Sequence, residues 1–171
     1  MRARELAIET AGLEKSFGAL RVLEGIDLRV PIGSVYALLG PNGAGKTTIV
    51  RILATLSRAD KGEVRVAGLD VRRDRGRVRR AISLTGQHVS IDDAQTAEEN
   101  LRMIARLSGM SRADARRRSQ ELLRIFDLSE HAHRRVAAYS GGMRRRLDFA
   151  ASLVGRPPVV FLDEPTTGLD I

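Results

Sequence analysis

The stretch that most narrows what this chain can fold into is Gly40-Pro41-Asn42-Gly43-Ala44-Gly45-Lys46-Thr47. It follows an apolar run, VYALL, and leads into a helix-like run, TTIVRILATL. A strand, a glycine-rich turn and a helix in that order make a phosphate cradle. Clustered phosphate charge needs backbone N–H donors that glycines allow to come close, a helix N-terminus, and a compact cation among the oxygens. Lys46 fits the last role. Thr47 is placed to offer its hydroxyl to Mg²⁺, and Thr48 follows in the first helical turn.

Around this motif the pattern is α/β. Apolar, β-branched segments at 6–8, 26–30, 35–39, 63–66, 82–85 and 159–162 predict strands. Two of them, VYALL and VVFL, are continuous rather than alternating, as in strands buried on both faces of a parallel sheet. Thr96 with Glu99 forms a capping box ahead of Leu101, Ile104 and Ala105. Ser111 with Asp114 opens a second helix through Leu122, Leu123 and Phe126. The stretch 92–138 is therefore expected to be a helical subdomain inserted into an α/β core, all within one domain of 171 residues.

Two further motifs carry chemistry. Val159 to Leu162 deliver Asp163 at a predicted strand end, with Glu164 beside it. Asp163 suits a hydrated Mg²⁺, and Glu164 suits polarising an attacking water. Tyr139-Ser140-Gly141-Gly142-Met143 places a hydroxyl and bare amides ahead of RRRLDFAASLV, a second helix N-terminus able to meet an anion.

Composition removes several classes. The chain has no cysteine, so disulfides and thiolate metal sites are excluded, and no acidic ligands are spaced around His88, His131 and His133. No run approaches the roughly 18 apolar residues that cross a bilayer, and MRARELAIE lacks the apolar middle of a signal peptide, so a cytosolic chain is expected. The formal charge is +8, and of 29 basic residues only Lys15, Lys46 and Lys61 are lysine. The arginines cluster at 72–80, 116–118, 134–135 and 144–146. Such runs suit solvated helix faces, nucleic acid or the anionic face of a membrane, and composition does not separate these.

The three motifs in this order resemble the ATP-binding cassette, the nucleotide-binding domain of ABC transporters, over almost the whole chain. The resemblance implies a P-loop α/β core that binds ATP with Mg²⁺. Gly40 to Thr48 would hold the phosphates, and Phe17, in EKSFG, falls where the family stacks an aromatic on adenine. Gln87 falls at the Q-loop, as a ligand to Mg²⁺ and the attacking water; Thr47 and Asp163 complete the metal set. Ser140, Gly141 and Gly142 match the signature, although Tyr139 and Met143 replace the commonest Leu and Gln at its edges; Gly168-Leu169-Asp170 match the D-loop. The stretch from Gly141 to Asp170 is especially similar to the daunorubicin/doxorubicin-type drug-resistance subfamily. The resemblance thus implies a peripheral bacterial subunit on the cytoplasmic side of the membrane, paired with a second ATP-binding domain and a separate permease, and exporting a drug or lipid-like compound.

In the family, a switch histidine that contacts the γ-phosphate lies about thirty residues past the D-loop. No histidine here follows Asp163, so a truncated cassette is expected, binding ATP better than it hydrolyses it. Two alternatives stand beside the transporter: a soluble cassette ATPase acting on nucleic acid or the ribosome, and an inactive fragment. Gln87 and Ser140 stand 53 residues apart with no cysteines or heptads between them, which fits a transporter.

Overall fold

The computed structural model describes residues 5–85 and 91–162. Two compact units divide the chain, Met1–Ser83 and Leu84–Ile171.

The first unit is built on an antiparallel sheet. Strand β1 (Leu6–Phe17) turns at Gly18 and Ala19 into β2 (Leu20–Pro31). On its other edge β1 pairs with β3 (Lys61–Val66), which pairs with the short β4 (Leu69–Asp70), giving the order β2-β1-β3-β4. Buried Thr10 satisfies both sides of an irregularity, its hydroxyl donating to the Ile26 carbonyl at 2.8 Å and accepting from the Leu28 amide at 2.9 Å. Beside the irregularity between Ala11 and Glu14 in the β1–β3 register, Gly62 has a φ of 87°, and a Cβ on it would stand 2.4 Å from the Gly12 carbonyl oxygen. Only glycine fits there.

Helix α1 (Lys46–Leu53) buries Ile49, Val50, Ile52 and Leu53, a stripe at helical spacing. It ends at Ala54, and Thr55 follows with a φ of 63°. Two arginines of the next helical stretch close that end. Arg75 donates to the Thr55 carbonyl and Arg79 to its hydroxyl, each at 2.9 Å, while Arg72 donates to the Ala59 carbonyl at 2.8 Å. Helix α2 (Arg75–Ala81) buries Val78.

Strand β5 (Ile82–Thr85) pairs with β6 (Val159–Leu162) in a separate two-stranded sheet. Between them lie α3 (Ala97–Leu107), α4 (Arg112–Ile125), two single 3-10 turns and α5 (Gly141–Ser152). The predicted helix starts are where the sequence puts them. Thr96 and Glu99 close a reciprocal capping box, and Ser111 accepts from the Asp114 amide. Leu101, Leu122, Leu128, Val136, Leu147 and Val154 are fully buried in one helical core. Asn100, also fully buried, is satisfied by the Asp92 amide and by the Asp92 and Thr96 carbonyls.

One expected strand is not formed. Residues 35–39 are irregular, with Val35 and Leu39 almost fully exposed. A continuous apolar run is suited to burial on both faces, but a strand also needs neighbours to bond, and among the described residues none pairs with 35–39. The larger sheet is also antiparallel throughout, a feature that the two continuous runs did not announce.

Candidate functional site

The glycine-rich turn is shaped by its backbone. Gly43 and Gly45 have φ of 86° and 82°, a region that L side chains rarely occupy. Gly45 also lies tight against β2, because a Cβ there would stand 2.7 Å from Leu23 Cδ2 and 3.0 Å from the Val22 carbonyl oxygen. This close fit ties the turn to the β1–β2 hairpin. Pro41 accepts from the Ala44 amide at 3.2 Å, and Asn42 between them is exposed.

Helix α1 then starts from Gly45 with no side-chain cap and no acidic residue in its first turn. The contrast with two of the other helices is informative. Helix α3 has Glu98 and Glu99 in its first turn, and α4 has Asp114. A helix N-terminus carries partial positive charge on unpaired N–H groups, so α1 presents an uncompensated one. Lys46 Nζ adds a full charge. It donates at 2.7 Å to the Gly40 and Pro41 carbonyls, which are neutral, and it pairs with no carboxylate among the described residues. Thr47 beside it is exposed and Thr48 is half-buried. This donor set fits a phosphate chain, and the Thr47 hydroxyl is the kind of hard oxygen ligand Mg²⁺ takes.

Phe17 closes β1 and is 54% exposed, with Lys15 Nζ 5.2 Å from its ring centroid. Lys15 is the register partner of Leu23, so the aromatic and the glycine-rich turn hang on one hairpin.

In the second unit, Ser140 is the N-cap of α5 and its hydroxyl accepts from the Met143 amide at 3.3 Å. Gly141 and Gly142 are exposed, with open space where a Cβ on either would stand. Like α1, α5 carries no acid in its first turn. Tyr139 anchors the turn. Its buried ring donates a hydroxyl hydrogen bond to the His131 carbonyl at 2.8 Å, and burial pushes the phenol above its ordinary pKa. Arg144 pairs with Asp93, which raises its pKa further. The sequence marked Tyr139 only as a departure from the commonest residue; its burial explains why an aromatic is accommodated.

Gln87, Asp163, Glu164, Gly168, Leu169 and Asp170 lie outside the described residues. Among the described residues no group of three or more His, Asp or Glu could hold a metal ion, and no helix is long and apolar enough to cross a membrane.

Residues 23–167 match the ABC transporter family. The chain is 56% identical over 164 residues to the daunorubicin/doxorubicin resistance ATP-binding protein DrrA of Streptomyces peucetius, covering 96% of this chain and 50% of that protein. It is 50% identical over 172 residues to the doxorubicin resistance ATP-binding protein DrrA of Mycobacterium tuberculosis, covering 99% and 52%. Against the Nod factor export ATP-binding protein I of Paraburkholderia xenovorans it is 43% identical over 167 residues, covering 97% and 55%. The chain thus spans about half the length of these curated relatives. A solved structure described as the ATP-binding subunit of an ABC transporter superposes with a TM-score of 0.81 at 31% identity, covering 97% of this chain and 69% of that one. The chain belongs to the ABC transporter family, as an ATP-binding domain with that family's α/β fold.

Proposed function

We propose that this chain binds MgATP as the nucleotide-binding part of an ABC exporter that moves a drug or lipid-like compound through a separate permease at the cytoplasmic face of a bacterial membrane. The observation that carries the reading is the N-terminus of α1: uncapped, free of acid, opened by two glycines at positive φ, with Lys46 paired among the described residues with neutral carbonyls and no carboxylate. The names of the relatives supply the exporter class.

Each residue then has a role. Gly40 to Gly45 and the first turn of α1 offer amides to the phosphates, with Asn42 and Ala44 setting the bend. Lys46 exchanges its carbonyl partners for phosphate oxygens. Phe17 stacks on adenine. Thr47, Gln87 and Asp163 would hold Mg²⁺, which would neutralise charge shared by the phosphate oxygens. Glu164 takes the proton of the attacking water. Ser140, Gly141 and Gly142 meet the phosphates held by a second copy of the domain, and the helices of 92–138 form the subdomain that the permease engages.

The test is calorimetry with MgATP. Lys46→Ala removes a charge-assisted contact worth roughly 1.5–3 kcal/mol, so affinity should fall by tenfold or more. Equal affinity in the two proteins would overturn the reading. Turnover has its own check: in the whole protein, Glu164→Gln should keep ATP binding and lose hydrolysis by roughly 10²-fold or more.

A further inference from the structure

The geometry of the β1 end points to Lys15 and Asp60 as positioning residues for a nucleobase platform, an inference that rests on reading Phe17 as the residue that stacks on the base. Phe17 stands at the tip of a hairpin with more than half its surface in solvent, where a phenyl ring would ordinarily sample several rotamers. Here one face is occupied. Lys15 Nζ lies 5.2 Å from the ring centroid, within the range of a cation–π contact. A flexible lysine alone would hold little, but this one is itself held.

Asp60 does the holding, from 45 residues away. Its Oδ1 accepts from Lys15 Nζ at 2.7 Å and its Oδ2 accepts from the Ser16 amide at 2.7 Å. That amide sits at the irregularity between Lys15 and Ser16 in the β1–β2 register. The Asp60 amide in turn donates to the Glu14 carbonyl at 2.9 Å, and Lys61 pairs with Glu14 at 3.1 Å. Three consecutive residues, Glu14 to Ser16, are therefore clamped to the start of β3. The Lys15 side chain is only 14% exposed, unusual for a lysine on a hairpin end. The clamp fixes the ammonium, the ammonium covers one face of Phe17, and the other face is left for a flat, electron-rich base. The same hairpin backs Gly45 through Val22 and Leu23, so base platform and phosphate turn share one support.

The recognised chemistry is the base, so the experiment separates it from the phosphates. MgATP and inorganic tripolyphosphate are titrated calorimetrically into the parent chain, Lys15→Met, Asp60→Asn and Phe17→Ala. Lys15→Met and Asp60→Asn should each weaken ATP by about two- to fivefold, the range of an exposed cation–π contact, and leave tripolyphosphate unchanged. Phe17→Ala should weaken ATP more, by about fivefold or beyond, again without touching tripolyphosphate. If Phe17→Ala weakens ATP while Lys15→Met and Asp60→Asn do not, the positioning role is wrong and the platform stands. Equal losses for ATP and tripolyphosphate in the Lys15 and Asp60 variants would mean general damage and also overturn it. If Phe17→Ala binds ATP like the parent, there is no platform, and both readings fall together.

Discussion

Several carboxylates in this chain act as hydrogen-bond acceptors for the backbone. The Arg73 and Arg72 amides hold Asp70 below the usual carboxylate range, and the Thr96 amide and hydroxyl do the same for Glu99. Lys15, then the Ser16 amide, lower Asp60. A carboxylate whose pKa is lower folded than unfolded adds stability above its unfolded pKa and loses it as pH falls through the folded one. Asp148 runs the other way, because burial raises it against the pull of Arg145 and Arg144. Three of these four carboxylates are lowered, so the melting temperature should be flat near neutrality and fall below about pH 4, as thermal melts between about pH 3 and 7 would show. Much of this scale was legible in sequence. Thr96 with Glu99 and Ser111 with Asp114 are local pairs whose spacing is their geometry. Asp60 with Lys15 was not, because no local rule links residues 45 positions apart.

At the scale of elements, the arginine runs acquire a structural meaning that composition left open. Arg75 and Arg79 bond Thr55 just past the C-terminal end of α1, Arg72 bonds the Ala59 carbonyl in the loop that follows, and Arg118 reaches from α4 to the Leu153 and Val154 carbonyls just beyond α5 while pairing with Glu121 at 3.0 Å. Cations at helix C-termini meet the negative end of the dipole and the carbonyls left without intrahelical partners. The Arg118 side chain is only 12% exposed, so its bonds are little screened. Arg118→Ala should lower stability by about 1.5–3 kcal/mol, read as a drop of several degrees in the melting temperature. Helix starts were readable because caps are sequence-local. Helix ends stapled from another element were not, and neither was the fate of 35–39, whose apolar character says what it tolerates but not what lies beside it.

For the whole molecule, the +8 charge raised nucleic acid as a partner. The structure turns several of the guanidinium groups inward to carbonyls and pairs others with Asp93, Asp114, Glu121 and Asp127, while aromatics make up only 4% of residues, too few for a stacking surface. Filter binding to single- and double-stranded nucleic acid at physiological salt should therefore show no sub-micromolar complex, and whatever weak binding occurs should vanish steeply as salt rises. The tight pairing of β1 and β3 at Gly62 bears on how such a chain can vary over generations. Gly62 faces backbone, the Gly12 carbonyl, and backbone has no rotamer by which to yield. Every amino acid one base change away from a glycine codon carries a Cβ, so mutation offers position 62 no neighbour it can accept. Gly76 in α2 has open space around it and an ordinary φ, and alanine there is favoured by helix propensity. Two glycines of one small unit thus sit at opposite ends of mutational tolerance, one a fixed point of the lineage and the other free to drift.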